Sequence, residues 1–289
     1  MKKLEGMLLI PFIPLLIAYW ILRGTPFFFR CKWCGNPWLF LDLRQFRDGL
    51  CEKCFRAKLA SSPTEFHQLL YEEIIPRARN PEFDWLFKRI ARKVREGRVL
   101  DVGCETGYLL SKLNLPQGLL YGLDVTSGAI KIAKKRVEGA NFSVANAINI
   151  PYKSDTFDYL LCTEVLEHIE GDAAARECYR VLKPGGVAFF IVPNGKGVAG
   201  KYMCAHIRFF SFQSIINLLR EAGFKIVHRD KFGLYIPFVT SSLGFLSCVL
   251  HKDLPFSSAL WRLKVPEFLS VNFYIECRKL TGTTQNNDS

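Results

Sequence analysis

The chain has 289 residues, of which 49% are hydrophobic and 23% charged, with a net charge of +12. That length supports one α/β core of about 200 residues with a smaller appendage and excludes two large domains. The composition is globular, and the basic excess predicts attraction to an anionic membrane surface or to nucleic acid without choosing between them.

Residues 7–22 (MLLIPFIPLLIAYWIL) carry no charge, with Lys2, Lys3 and Glu5 before them and Arg23 and Arg30 after. The run is shorter than the ~17 to 25 residues that span hydrocarbon, and Pro11 and Pro14 would bend a helix. It reads as a membrane anchor over residues 1–25, since no small-residue cleavage site follows Leu22. The basic residues beyond it outnumber those ahead of it, which predicts a membrane-anchored protein with its folded body facing the cytoplasm.

Next come Cys31-x-x-Cys34 and Cys51-x-x-Cys54. Two such pairs about 15 to 20 residues apart are zinc-ribbon spacing and predict one structural Zn²⁺ held by four thiolates in a module over residues 26–60. Residues 61–97 read as linker helices. Their last part, 83–95, has apolar residues recurring at three and four with a Lys/Arg face, the pattern of an amphipathic basic helix packed on a core. The other six cysteines show no pairing pattern.

From Arg98 onward short apolar runs alternate with helical patterns. Strands are predicted at 99–102, 119–123, 142–144, 159–162, 187–192 and 224–227, with a last antiparallel strand at 272–277. Helices are predicted from Tyr108, from Ser127, over 173–182 and after a Ser211 cap, with Gly223 ending the last. The tetrad Lys183-Pro184-Gly185-Gly186 is expected to break the chain before the fifth strand. Such alternation means a doubly wound parallel sheet with ligands at the carboxyl ends of its strands.

The turn after the first strand reads Asp101-Val102-Gly103-Cys104-Glu105-Thr106-Gly107. A glycine-rich turn alone holds either a dinucleotide or S-adenosylmethionine (SAM). Here the glycines are Gly103 and Gly107, without the dinucleotide spacing, and a carboxylate sits beside them. SAM carries an ammonium and a sulfonium rather than a pyrophosphate, so the carboxylate is an asset. Asp124, at the end of the second strand, is placed to take ribose hydroxyls. The pair Tyr179 and Lys183 has the spacing of a dehydrogenase dyad, but without those glycines it reads as chance.

These stretches, with 121–124, Ile150-Pro151-Tyr152, Thr156-Phe157-Asp158, Glu164-Val165-Leu166-Glu167-His168 and Arg180-Val181-Leu182-Lys183-Pro184-Gly185-Gly186, resemble the class I SAM-dependent methyltransferases, and within them the ubiquinone/menaquinone-biosynthesis branch. The resemblance covers about residues 95–280. It implies a Rossmann-like α/β fold: a seven-stranded, mostly parallel sheet with helices on both faces, over residues 98–280; residues 281–289 read as a disordered tail. It implies further that Asp101, Gly103 and Gly107 hold the methionine moiety, Asp124 the ribose, and Asn146 with Ala147 the adenine edge. Two positions depart from the family: Glu105 stands where Gly is usual, able either to crowd the cofactor or to pair with its ammonium, and Asn146 stands where Asp is usual.

Methyl transfer needs proximity, orientation and, for a hydroxyl acceptor, a base. His168 follows the fourth strand and has an unperturbed pKa of about 6.5. Glu164, Glu167 and His168 would share one face of a helix. That spacing allows a divalent metal at the active site, which the quinone-pathway resemblance supports, or a set of capping and salt-bridging residues at the turn. The uncharged stretch 232–250 is expected to cover the acceptor pocket, as core or as an apolar lid. The expected function is SAM-dependent methyl transfer to an apolar or lipid-linked acceptor at the membrane: a quinone precursor, a lipid or a polyprenyl-linked sugar. A zinc-ribbon rRNA methyltransferase and a non-catalytic SAM-binding membrane protein are the alternatives.

Overall fold

The computed structural model describes residues 28–30, 37–39, 81–197, 207–234 and 262–281. The chain divides into two units, Met1–Ser61 and Ser62–Ser289. In the first unit, strands β1 (Phe28–Arg30) and β2 (Pro37–Leu39) pair antiparallel, Phe28 opposite Leu39 and Arg30 opposite Pro37. The anchor run 7–22 and the ligand candidates Cys31, Cys34, Cys51 and Cys54 lie outside the described residues. Among those described, no helix is long and apolar enough to cross a membrane.

The second unit is built on a seven-stranded sheet of order β5-β4-β3-β6-β7-β9-β8. Its strands are β3 (Val99–Val102), β4 (Leu120–Asp124), β5 (Asn141–Val144), β6 (Phe157–Thr163), β7 (Leu182–Pro193), β8 (Lys225–Leu234) and β9 (Ser270–Arg278). The first five run parallel, and β9 is inserted antiparallel between β7 and β8. This is the expected Rossmann-like sheet.

Central strands that are apolar at nearly every position must bury both faces. On β7, Ala188, Phe190 and Val192 turn to one layer with Ile215, Ile216 and Leu219 of helix α4 (Phe212–Glu221). Phe189 and Ile191 turn to the other, with Leu86 and Ile90 of helix α1 (Pro81–Lys93). Each large side chain so buried contributes about 1.5 to 3 kcal/mol. The basic face of α1 thus backs onto a core face, as its periodicity predicts.

Helix α2 (Ser127–Arg136) fills the crossover between β4 and β5, and α3 (Ala173–Val181) that between β6 and β7. At the start of α4 the Ser211 hydroxyl accepts from the Ser214 N–H while the Ser214 hydroxyl accepts from the Ser211 N–H, a reciprocal cap that fixes this boundary. Gly223, at φ +104°, ends the helix in a conformation that only glycine adopts at no cost.

Two sequence expectations fail. The helix predicted from Tyr108 is only a 3-10 turn, Leu110–Lys112. Pro116 follows four residues later, lacks an N–H and disfavours helical backbone in Leu115, which leaves no room for a second turn. The tetrad 183–186 does not separate helix from strand. β7 begins at Leu182, which pairs with Phe157, and pairing resumes at Tyr159 with Val187, so the tetrad is an irregularity inside the strand. Gly185, at φ +82°, donates its N–H there to the Lys279 carbonyl.

Candidate cofactor and acceptor site

All the residues singled out for SAM lie at the carboxyl edge of the parallel strands. Asp101 sits inside β3, 2% exposed. Burial is the main force holding its carboxyl well above the usual range, and the charges of Asp124 and Glu105 push the same way. Three carboxyl groups therefore converge on one turn, which repels a phosphate and suits a cation.

The turn itself rests on glycine. Gly103 has φ +72°, and a Cβ there would come well inside 3.0 Å of the Val165 side chain. Gly107 has φ +71° and backs onto Ala133 of α2, 3.2 Å from where its Cβ would be. The N–H groups of Gly103 and Cys104 both donate to the Leu123 carbonyl, at 2.8 and 2.9 Å, which locks the turn to the end of β4. Glu105 takes φ +50°, the left-handed conformation that glycine adopts without steric cost. Its side chain is half-buried, and its N–H donates to Asp124 Oδ2 at 3.1 Å. Asp124 Oδ1 accepts from the Thr126 N–H at 2.8 Å, so this carboxylate is oriented from both sides.

Beyond β5, Asn146 Oδ1 accepts from the Ile148 N–H at 3.1 Å, closing an Asx turn. Asn146 itself is exposed and Ala147 is buried. Val125, 49% exposed, and Ile148, 45% exposed, follow Asp124 and Ala147 and leave apolar surface at the same edge. Sequence reasoning missed both, because an isolated Val or Ile after a strand reads as ordinary core.

After β6 the chain turns at Glu164, φ +56°, and then makes one 3-10 turn, Leu166–His168. The continuous helix that would align Glu164, Glu167 and His168 is not formed, because a left-handed residue cannot open a right-handed helix. Among the described residues no group of three or more metal-binding side chains is assembled, so of the two readings that the spacing of Glu164, Glu167 and His168 allowed, the divalent metal finds no ligand cluster there. Glu167 is fully buried, with its carboxyl oxygens making no hydrogen bond among the described residues, and burial followed by the charge of Glu164 raises its pKa. His168 Nε2 lies 3.7 Å from Glu167 Oε1, with the ring partly exposed. The Glu167 carbonyl accepts from the N–H groups of Ile207 and Arg208, fastening this turn to the segment that follows β7.

The dehydrogenase-like pair is structural. Tyr179 stacks edge-on against Phe224, with centroids 5.1 Å apart, and Lys183 pairs with Asp158 at 2.7 Å. Of the stretch 232–250, residues 232–234 belong to β8 and the rest lies outside the described residues.

A parallel sheet with a glycine-built turn after its first strand and an acidic residue closing its second has the arrangement of a nucleoside-cofactor fold, and the carboxyl groups gathered at that turn suit a cationic ligand. The comparisons with known proteins agree. Residues 100–190 match the family model described as a methyltransferase domain. An uncharacterized protein of Methanocaldococcus jannaschii is 30% identical over 146 residues, 47% of this chain and 68% of that protein. A probable SAM-dependent methyltransferase of Mycolicibacterium smegmatis is 26% identical over 155 residues, 52% of this chain and 60% of its own. A ubiquinone biosynthesis O-methyltransferase of Pseudomonas putida is 28% identical over 123 residues, 38% of this chain and 50% of that enzyme. A crystal structure of a SAM-dependent methyltransferase of Thermotoga maritima shares the fold, with a TM-score of 0.53 and 20% identity over 74% of this chain and 99% of that one. The chain belongs to the class I SAM-dependent methyltransferases, and it is an enzyme that uses SAM as methyl donor.

Proposed function

We propose that this methyltransferase acts on a hydroxyl of a membrane-associated acceptor, such as a quinone precursor, a lipid or a polyprenyl-linked sugar. One observation carries the reading of the site: Gly103 lies against Val165 so closely that no side chain fits between them. The turn assigned to the methionine end and the turn that ends in His168 are therefore neighbours.

Bound SAM supplies an electrophilic methyl group on its sulfonium. Asp101, with the backbone of Gly103 to Gly107, holds the cationic end. Asp124 takes the ribose diol, and Asn146 with Ala147 reads the adenine edge. His168 accepts the proton that the acceptor hydroxyl loses as its oxygen bonds to the methyl carbon and the carbon–sulfur bond breaks, leaving S-adenosylhomocysteine, and buried Glu167 stands beside the ring with Oε1 3.7 Å from Nε2.

Support for the membrane comes from the uncharged run 7–22 with its basic flank, the net charge of +12 and the uncharged stretch 232–250. With residues 1–25 as anchor, the catalytic unit faces the cytoplasm. The relative from Pseudomonas putida is, by its name, an O-methyltransferase of ubiquinone biosynthesis. Support for a structural Zn²⁺ is the pairing of β1 with β2 on either side of the sequence positions of Cys31 and Cys34.

The test compares lipid extracts and RNA from cells with and without the gene. A lipid-phase species heavier by one methyl is expected, and a change confined to RNA overturns the proposal. Fractionation of full-length protein and a deletion of residues 7–22 tests the anchor, and equal recovery of both in the soluble fraction sinks it.

A further inference from the structure

The loop between β5 and β6 carries Asn146 and Ala147, yet it is fixed in place by side chains from a different crossover. Arg180, near the end of α3, reaches it with two donors: Nη2 to the Ile150 carbonyl at 2.9 Å and Nη1 to the Tyr152 carbonyl at 2.8 Å. Glu177, one turn earlier, accepts the Ile150 N–H on Oε2 at 2.8 Å. The two side chains hold each other bidentately, Nε to Oε1 at 2.6 Å and Nη2 to Oε2 at 2.8 Å. A planar guanidinium in a fork of this kind is fixed in direction as well as position. One ion pair thus satisfies three backbone groups of a loop that has no regular structure of its own.

We propose that Glu177 and Arg180 are positioning residues for the adenosine half of SAM: as a clamp on residues 150–152, they set the place of Asn146 and Ala147. The inference rests on the reading of Asn146 and Ala147 as the adenine contact. The clamp stands on the helix that directly follows the 164–168 turn, so α3 ties the adenine side of the site to the acceptor side. A surface ion pair with no other partner adds little; this one is distinguished by the backbone groups it grips. Arg176, on the same helix, pairs with Asp172 and is 61% exposed, and it serves as the comparison.

The test is calorimetry on the full chain with two stable probes: S-adenosylhomocysteine, and 5′-methylthioadenosine, which lacks the amino-acid end. Arg180→Lys keeps the charge and loses the fork; Glu177→Gln keeps the shape but loses the charge and replaces one of the two acceptor oxygens with a donor. Each is expected to weaken both probes about tenfold, while Arg176→Ala leaves them within twofold. Hydrogen exchange at residues 145–152 rises in both clamp variants, with α2 unchanged. If the clamp variants melt earlier but bind both probes as the natural protein does, the pair is merely structural and the inference is overturned. Asn146→Ala separates the two layers of the argument. Unchanged methylthioadenosine binding in that variant removes the adenine reading, whereas weakening in Asn146→Ala but not in the clamp variants removes the clamp alone.

Discussion

The Glu105 N–H donates to Asp124 Oδ2 at 3.1 Å, so a non-glycine residue in left-handed backbone is bonded through its main chain to the carboxylate proposed to take the ribose. The bond needs no particular side chain at position 105, only its left-handed backbone. A non-glycine residue in that conformation costs roughly 1 to 2 kcal/mol. Glu105→Gly is therefore expected to raise the melting temperature by about 2 to 3 °C, and Glu105→Val to lower it by more, because β-branching worsens the strain. A lower melting temperature for Glu105→Gly would show that the glutamate side chain, not the backbone, stabilises this turn.

Asp101 predicts a proton linkage. Its folded-state pKa is raised, first by burial and then by Asp124 and Glu105. For a carboxyl shifted this way, the stabilisation from its protonated form is complete below the unfolded-state pKa of about 4 and is lost as pH rises through the folded value. A cationic ligand favours the ionised form, so SAM binding releases a proton and tightens as pH rises through that window. Calorimetry in two buffers of different ionisation enthalpy reads the release directly. Asp101→Asn should abolish it, weaken SAM at least tenfold, and leave the ligand-free protein more stable above the window.

Gly103 is expected to tolerate no side chain. Gly103→Ala meets both an unfavourable φ of +72° and the Val165 side chain, and a cost of about 2 to 3 kcal/mol in stability follows. Val165→Ala added to it removes the clash but not the backbone strain, so thermal melts of the double variant should recover only part of the loss. Full recovery would mean that packing alone excludes the side chain.

Asp230 joins α1 to the far edge of the sheet. Arg89 donates to it at 2.9 Å and Lys264 lies 2.7 Å from its other oxygen. Burial raises its pKa, but the hydrogen bonds of Lys264, His228 and Arg89 outweigh this and bring it to about 2. The resulting stability is present above the unfolded pKa of about 4 and is lost as pH falls through 2. Asp230→Asn should lose on the order of 1 to 2 kcal/mol at neutral pH, measured by denaturant unfolding, and the gap should narrow in acid.

His168→Ala is expected to lower methyl transfer by about 100-fold or more once an acceptor is in hand, with SAM affinity unchanged. Equal losses in both would assign His168 to binding.

Sequence periodicity found most of the sheet because central strands buried on both faces are apolar runs. β3 is predicted at its observed bounds, and the starts of α2 and α3 and the Ser211 cap fall where they are seen. It erred where tertiary pairing overrides local signals: Pro184, Gly185 and Gly186 look like a break, yet Leu182 before them already pairs with Phe157, and Gly185 and Gly186 are bonded to Lys279 just past β9. The SAM turn was legible because its glycines answer to backbone geometry. The alignment of Glu164, Glu167 and His168 was not, since spacing presumes a helix and the left-handed backbone of Glu164 prevents one. Glu177 and Arg180 were hidden for another reason. An i, i+3 charge pair on an amphipathic helix looks like any solvated face, and nothing local marks the distant carbonyls it serves.

The insertion of β9 antiparallel between β7 and β8 has a topological consequence. Leu234, at the end of β8, pairs with Ser270, at the start of β9, so the chain leaves and re-enters the sheet at adjacent points on the carboxyl edge of the parallel strands. Asn194, fully buried, donates to the carbonyls of Glu267 and Ser270 and so anchors the return into β9. Doubling the length of such a connection costs only about 0.6 kcal/mol in closure entropy. The connection between these two fixed points can therefore be lengthened or exchanged at little cost to the sheet itself.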